Sequence, residues 1–81
     1  EPGIAVFRKS FNGYGTLLLN DKNKLTRVYE LNETLTLETL YLQPGSYKIV
    51  FRPKNSRSTL YTVEQSFIIE SGKTTDIQLY K

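Results

Sequence analysis

The sequence predicts an all-β domain, and more specifically an antiparallel two-sheet β-sandwich of about seven strands. Three observations support this fold class. Apolar and polar residues alternate along most of the chain, which is the two-residue period of a strand. Turn-forming residues recur at intervals of about 10 residues, and no long segment has the helical period. At 81 residues the chain is expected to form one domain, residues 1–81, with a compact core.

Each predicted strand lies between two turn signals. The predicted strands cover residues 4–8, 14–19, 25–31, 34–42, 47–52, 59–70 and 75–80. Residues 20–24 contain two asparagines and an aspartate, whose side chains bond to nearby backbone groups in turns. The second and third strands should therefore pair as a hairpin. In the longest predicted strand, residues 59–70, the polar side chain of Gln65 interrupts the apolar face and suggests a bend or bulge.

The segment from Leu35 to Leu42 is ambiguous, because Leu35 and Leu37 share one parity while Leu40 and Leu42 share the other. One strand with a bulge near residues 38–39, two short strands and a short helix all remain open. The three threonines at residues 34, 36 and 39 favour strand, since a β-branched side chain restricts χ1.

The Pro44-Gly45 pair predicts a type II turn that reverses the chain, with proline fixing φ at the second position and glycine supplying positive φ at the third. The predicted core follows from the parity of the strands. It contains Ile4, Val6, Leu17, Leu19, Val28, Leu31, Leu35, Leu37, Leu40, Leu42, Tyr47, Ile49, Phe51, Val63, Phe67, Ile69, Ile77 and Leu79.

The chain lacks the side chains on which most catalysis and metal binding depend. It has no histidine and no cysteine, and no serine stands in a Ser-x-x-Lys or Gly-x-Ser-x-Gly motif. Its two aspartates and six glutamates fall mostly on outward strand positions. We therefore expect no enzyme activity, no cofactor and no metal site.

Charge and hydrophobicity argue against two classes of partner. The net charge is +3, but the eleven basic residues are scattered among eight acidic ones. The nearest approach to a basic patch is Arg52, Lys54 and Arg57, so we expect no nucleic-acid partner; binding through Lys54 and Arg57 would show a steep salt dependence. The uninterrupted apolar runs are short, such as residues 4–7 and 17–19, which predicts no membrane insertion by this segment.

The six tyrosines are the main candidates for a contact surface. The tyrosines could supply a stacking platform for sugar rings or bases. Tyr14, Tyr29, Tyr41 and Tyr80 are predicted to be exposed, and Tyr14, Tyr29 and Tyr80 are the possible contact surface. The alternative is that these rings simply pack on half-buried strand surfaces. Tyr14 stands between Gly13 and Gly15, where the backbone can approach another surface closely, and it could mark a contact with a neighbouring domain.

The second half of the chain, residues 40–81, resembles a known family pattern: a hydrophobic pair, Pro-Gly, a small residue, tyrosine and an alternating strand. The matching residues are Leu40, Leu42, Pro44, Gly45 and Tyr47, followed by Phe67, Ile69, Gly72, Ile77 and Leu79 in a predicted closing hairpin, whose strands are linked by residues 71–73. This pattern resembles the prealbumin-like sandwiches of bacterial surface proteins, including PEGA-type and carboxypeptidase regulatory-like domains. The segments GYGTLLL, YKIVFRPK and TVEQSFIIESGKT are also similar to the C-terminal extension of Bacteroides-type von Willebrand factor A proteins.

The resemblance implies an immunoglobulin-like or prealbumin-like sandwich that serves as a non-catalytic structural and interaction module of a larger bacterial cell-envelope protein. We expect an excised domain, since the chain starts at Glu1 without methionine, and an extracytoplasmic location in the periplasm or on the cell surface. The expected partner is a neighbouring domain of the same chain or another protein, and the isolated domain should be a monomer. The alternative function is glycan binding through exposed tyrosines.

No site is carried over from these families. The metal-binding Asp-x-Ser-x-Ser motif of the von Willebrand factor A domain does not occur in this chain. Some related sandwiches contain Lys-Asn crosslinks, for which Lys9 and Asp76 are the nearest candidates. The last predicted strand has no asparagine, so no crosslink is expected.

Overall fold

The computed structural model describes residues 1–9, 12–53 and 62–79, which contain seven β-strands and no helix. The strands are β1 (Gly3–Arg8), β2 (Gly13–Asp21), β3 (Lys24–Glu30), β4 (Leu37–Leu42), β5 (Gly45–Pro53), β6 (Val63–Ile69) and β7 (Thr74–Gln78). The prediction of an all-β chain is confirmed.

The strands form two sheets. The three-stranded sheet has the order β4-β1-β7, and the four-stranded sheet has the order β3-β2-β5-β6. All neighbouring strands are antiparallel except β1 and β7, which are parallel. The prediction of purely antiparallel sheets is therefore wrong at this one pair, because the chain returns to β1 from the four-stranded sheet instead of through a hairpin.

The predicted hairpin between β2 and β3 is confirmed. Lys22 and Asn23 form its two-residue turn with φ of 52° and 68°, the pair of positive values that a type I′ turn requires. Asp21 and Lys24 are the first paired residues beside this turn. The register of the β2–β3 pair shifts between Leu17 and Leu18. The bulge predicted near Gln65 is not present in β6, because β6 pairs with β5 there without a register shift.

The ambiguous segment forms one strand, β4, which pairs with β1 in an unbroken register. A helix, two short strands and a bulge near residues 38–39 are all excluded as descriptions of β4. The change of parity precedes the strand, since residues 33–36 form a turn and a bend. Glu38 is buried on the inner face with Leu40 and Leu42 half-buried beside it, whereas Leu37 points outward.

The links from β4 to β5 and from β6 to β7 are predicted to form hairpins, but each joins strands of different sheets. Pro44 and Gly45 carry the chain from β4 in one sheet to β5 in the other, and Gly45 begins β5 with φ of 159°, far from the value of about +80° at the third position of a type II turn. The link from β6 to β7 also changes sheets. Its turn places Gly72 at φ of 71° and is closed by a 3.2 Å hydrogen bond from Lys73 N to Glu70 O.

One apolar core contains side chains from both sheets. Its largest fully buried members are Phe7, Leu17, Ile49, Phe51, Ile69 and Leu79. Leu31, Tyr47 and Ile77 are also buried as predicted, and Leu19, Leu40, Leu42, Val63 and Phe67 pack against the core. The Phe67 ring joins the sheets, since it lies 5.8 Å from the Phe7 ring and 5.9 Å from the Tyr47 ring.

Part of the predicted core is wrong. In β1 the buried side chains are Ala5 and Phe7, while Ile4 and Val6 are half-buried on the outer face. This strand is apolar on both faces, so its parity alone could not tell which face is inside. Val28, Leu35 and Leu37 are exposed.

Candidate functional site

The tyrosines predicted to form a contact surface do not lie on one face. Tyr14 is half exposed on the outer face of the four-stranded sheet. Tyr29 pairs in register with the buried Leu17 and thus lies on the opposite, inner side of that sheet, since side chains alternate along a strand. Tyr80 lies outside the described residues. Tyr41, also predicted to be exposed, is on the outer face of the other sheet.

The glycines on either side of Tyr14 have a packing role. A Cβ atom on Gly13 would come within 2.7 Å of the Phe51 ring, and one on Gly15 would come within 2.6 Å of Leu31 Cδ1. Both positions face the core and must stay free of a side chain for these neighbours to fit. The Gly-Tyr-Gly pattern is therefore explained by close packing inside the domain.

A cluster of four polar residues lies between β3, β4 and the end of β1, and we call it the polar cluster: Lys9, Tyr29, Asn32 and Glu38. Lys9 and Glu38 are only 5% and 8% exposed. Glu38 accepts a 2.7 Å bond from the Tyr29 hydroxyl and a 2.9 Å bond from Asn32 N. The Lys9 ammonium donates a 2.7 Å bond to Asn32 O and lies 5.6 Å from the centre of the Phe51 ring.

The polar cluster changes the proton affinity of two of its members. Burial lowers the pKa of the Lys9 ammonium below 10.5, although the nearby carboxylates of Glu38 and Glu33 partly oppose this shift. The hydrogen bond to Glu38 is the main cause that raises the pKa of the Tyr29 hydroxyl above 10.0. Because the buried lysine and glutamate both have hydrogen-bond partners, the cluster can hold the chain between β3 and β4 in place.

The pair considered for a crosslink is not brought together. Asp76 accepts a 2.9 Å bond from Arg8 Nε on the exposed outer face of the three-stranded sheet. The Lys9 side chain belongs to the buried polar cluster instead. Asn32, which does lie near Lys9, uses its side-chain oxygen to accept bonds from Thr34 N and the Thr34 hydroxyl at 2.9 and 2.8 Å.

The register places several exposed or half-buried apolar side chains together on the outer face of the three-stranded sheet. Ile4 pairs with Tyr41, Val6 with Thr39 and Arg8 with Leu37, so these side chains lie side by side. Tyr41 is 72% exposed and Leu37 is 52% exposed. The prediction that Leu37 lies in the core is wrong. The sequence signal for the opposite parity is the pair Leu40 and Leu42, which lie on the inner face with Glu38.

A shallow depression lies on the outer face of the four-stranded sheet. It has a volume of about 170 Å³ and is lined by Tyr14, Thr16, Val50 and Arg52. Tyr14 pairs in register with Arg52, and Thr16 with Val50. A ring, a hydroxyl, a guanidinium group and the apolar side chain of Val50 thus line the depression.

Two further features bear on the predicted partners. Of the possible basic patch, Arg52 is exposed, while Lys54 and Arg57 lie outside the described residues. Residues 1–9, 12–53 and 62–79 contain neither a helix that could cross a membrane nor a group of three acidic side chains positioned to hold a metal ion.

Comparisons of the chain with protein-family models, with curated proteins and with solved structures gave no match. The prealbumin-like and von Willebrand factor A resemblances therefore stay predictions.

Proposed function

We propose that this chain is a non-catalytic structural and interaction module of a larger bacterial cell-envelope protein. In this proposal the two sheets form a β-sandwich of the immunoglobulin-like or prealbumin-like class. The observation that carries the proposal is the apolar outer face of the three-stranded sheet, where Tyr41 and Leu37 project from β4 beside Ile4 and Val6 of β1.

An exposed patch of neighbouring apolar side chains is unusual on a domain that functions alone, because its burial in an interface would be favourable. An ion pair between Arg8 and Asp76 lies next to the patch and gives it a polar border. An apolar centre with a polar rim is the common arrangement of a protein interface. The partner in this proposal is a neighbouring domain of the same chain or another protein.

The location outside the cytoplasm follows from the resemblance to bacterial surface domains. The absence of histidine and cysteine supports a role without catalysis, because general acid–base and thiolate chemistry at neutral pH would need other groups with shifted pKa values. The buried lysine of the polar cluster is already bonded to Asn32 O and is closed to substrates.

Site-specific photo-crosslinking in the producing cells tests the proposed function. A photoreactive phenylalanine at position 41 should give a defined protein adduct, because this side chain projects from the apolar patch. The matched control places the same residue at Ser66, an exposed position on the four-stranded sheet, and should give none. Equal adduct yields at both positions, or none at position 41, would contradict the interaction role.

Glycan binding is the second candidate, and the depression beside Tyr14 is the observation that favours it. A sugar ring could stack on Tyr14 while Arg52 and Thr16 bind its polar groups. Titration with soluble cell-wall glycan fragments should then shift the NMR signals of Tyr14 and Arg52, and Tyr14→Ala should abolish the shifts. A Tyr41→Ala control should leave them unchanged; spectra that do not respond at all would exclude this candidate.

A further inference from the structure

In the described part of the chain, β4 is an edge strand with β1 as its single neighbour, so one row of its backbone groups has no partner strand there. Ile4 N donates to Lys73 O and Leu79 N donates to Arg8 O, so the even residues of β1 bond toward β7. Lys9 N donates to Thr36 O, which shows that the odd residues of β1 bond toward β4. Through the register, these odd residues use the backbone groups of Glu38, Leu40 and Leu42. The N–H and C=O groups of Leu37, Thr39 and Tyr41 therefore point away from the sheet, and we call these three residues the open edge.

The open edge lacks the charges that protect the other sheet edges. The strand β3 carries Lys24, Arg27 and Glu30 along with a shift in register, β6 carries Glu64, and β7 carries Asp76. Charged side chains and irregular pairing are the usual means by which a sheet edge avoids adding another strand. Leu37, Thr39 and Tyr41 are uncharged and exposed, and the single charge of β4, on Glu38, is buried and bonded inside.

The sheets also differ in size, which leaves space beside the open edge. Tyr29 bonds to Glu38, so β3 and β4 lie at the same side of the domain, while β6 and β7 meet at the other side. Thr26 and Tyr29 of β3 are in register with the inner-face residues Leu19 and Leu17, yet both are exposed. In the described part of the chain no strand covers this inner face of β3.

We propose that the three-stranded sheet accepts a fourth strand at β4, and that the strand is an extended, uncharged segment of a partner protein. The added strand would pair antiparallel with the open edge, and its inner side chains would cover Thr26 and Tyr29. A second copy of this domain fits less well, because its β3 lies on the same side as its β4 and would meet β3 of the first copy. This inference rests on the proposed interaction role and specifies how the partner binds.

The open edge determines the chemistry of the segment. Its backbone must be free to bond with Leu37, Thr39 and Tyr41, which excludes proline at the pairing positions. Its inner side chains would stand beside Leu40 and Leu42, both half-buried, and should be apolar. Its outer side chains would extend the apolar patch next to Leu37 and Tyr41, where an unpaired charge would be unfavourable.

A capped peptide in which valine alternates with threonine is the probe for this inference. At about millimolar peptide, binding should slow hydrogen exchange of the Leu37, Thr39 and Tyr41 amides in the ¹⁵N-labelled domain. Thr39→Lys should weaken binding by about tenfold or more, because its charge lies at the centre of the pairing edge. Thr74→Lys is the matched control: Thr74 is exposed, and its backbone groups face away from β1 at the β7 edge.

The inference is supported if the three amides gain protection, if Thr39→Lys removes it and if Thr74→Lys does not. It is overturned if the peptide protects another edge, if a peptide N-methylated at its pairing amides binds equally well, or if the domain self-associates through β4 in sedimentation without peptide. Crosslinking at position 41 reports on the interaction role separately. Adducts there without peptide protection of β4 would exclude strand addition and leave the proposed function intact.

Discussion

Two links between the sheets show different ways of fixing a crossover. The link from β3 to β4 is held by buried polar side chains, with Glu38 bonded to Tyr29 and Asn32 N, and Lys9 bonded to Asn32 O. The link from β6 to β7 is held by its backbone, through a tight turn with Gly72 in the left-handed region. The first depends on hydrogen bonds of buried side chains, whereas the second depends on backbone conformation at Gly72 and on bonds from Gly72 N to Pro2 O and from the Ser71 hydroxyl to Glu1 O.

The difference has consequences for the surface. Burial of Glu38 fixes the parity of β4 and so directs Leu37, Thr39 and Tyr41 outward. The turn at Gly72 has no such effect on β7, whose exposed residues are polar. The polar cluster thus buries the charged side chains of Lys9 and Glu38, while Leu37 and Tyr41 are exposed. These exposed side chains belong to the proposed interaction surface.

The largest expected effect removes the ring beneath the polar cluster. Phe51→Ala should lower the free energy of unfolding by about 3–5 kcal/mol, because it leaves a cavity in the core and takes the ring away from Lys9. Phe51→Leu, which keeps most of the volume, should cost less than about 2 kcal/mol. Urea denaturation measures both values. Equal losses would show that the ring itself, more than the filled space, supports the β3–β4 link.

Removal of the central carboxylate should break the β3–β4 link itself. Glu38→Ala leaves the Tyr29 hydroxyl and Asn32 N without their acceptor and should lower the free energy of unfolding by about 2–3 kcal/mol. The control is Glu64→Ala, which removes an exposed ion pair with Lys48 and should cost less than about 1 kcal/mol. If denaturation gave similar values for both variants, the polar cluster would not be what fixes the link.

A smaller effect is expected at the β6–β7 link. Gly72→Ala should lower the free energy of unfolding by about 1–2 kcal/mol, since a Cβ atom disfavours φ of 71° and would also meet the Glu1 carboxylate. Gly72→Asn should recover part of this loss, because asparagine tolerates the left-handed region. Thermal denaturation of the two variants checks the order. A lower melting temperature for Gly72→Asn than for Gly72→Ala would rule out backbone conformation as the cause.

The smallest effect is a dependence on alkaline pH. The pKa of the Tyr29 hydroxyl is raised in the folded chain, so its stabilising contribution is complete below pH 10.0 and is lost as the pH rises through the raised pKa. Tyr29→Phe should therefore show a shallower loss of stability above pH 10.0 than the unaltered chain, in denaturation curves taken across that range.

The Lys9 ammonium gives the opposite slope. Its pKa is lowered, so the folded chain releases this proton first, and the unfavourable burial of the charge is relieved as the pH rises toward 10.5. Lys9→Met should remove this rise.

Identical pH profiles for Tyr29→Phe and the unaltered chain would contradict the Tyr29 prediction, because they would show that the bond to Glu38 has no effect on the titration of the Tyr29 hydroxyl.

Much of the fold could be predicted because the relevant forces are local. The hairpin of β2 and β3 follows from the asparagines and the aspartate of residues 20–24, although these residues did not indicate a type I′ turn with Lys22 at positive φ. The alternation in β5 correctly placed Tyr47, Ile49 and Phe51 in the core. Sheet membership could not be predicted in this way. The turn signals at Gly45 and Gly72 mark where the chain changes direction, but they do not state whether the next strand joins the same sheet.

The candidate site was harder to predict. The exposure of Tyr14, Tyr29 and Tyr41 is confirmed, but the sequence did not indicate that they lie on three separate faces. Leu37 was assigned to the core because leucine is usually buried, and the two hydrogen bonds to Glu38 that reverse this parity come from Tyr29 and from Asn32 N in the chain after β3.

The sequence by itself determined the all-β class, the turn positions and the apolar strand β5, since these depend on neighbouring residues and on a period of two. The tertiary structure alone decided the parallel pairing of β1 with β7, the burial of Lys9 and Glu38, and the outward direction of Leu37 and Tyr41. The physical reason is that a strand with apolar residues on both faces has no preferred inside until other strands pack against it. In β4 the deciding contact is the carboxylate of Glu38, whose burial becomes favourable only when β3 and the chain after it supply hydrogen-bond donors.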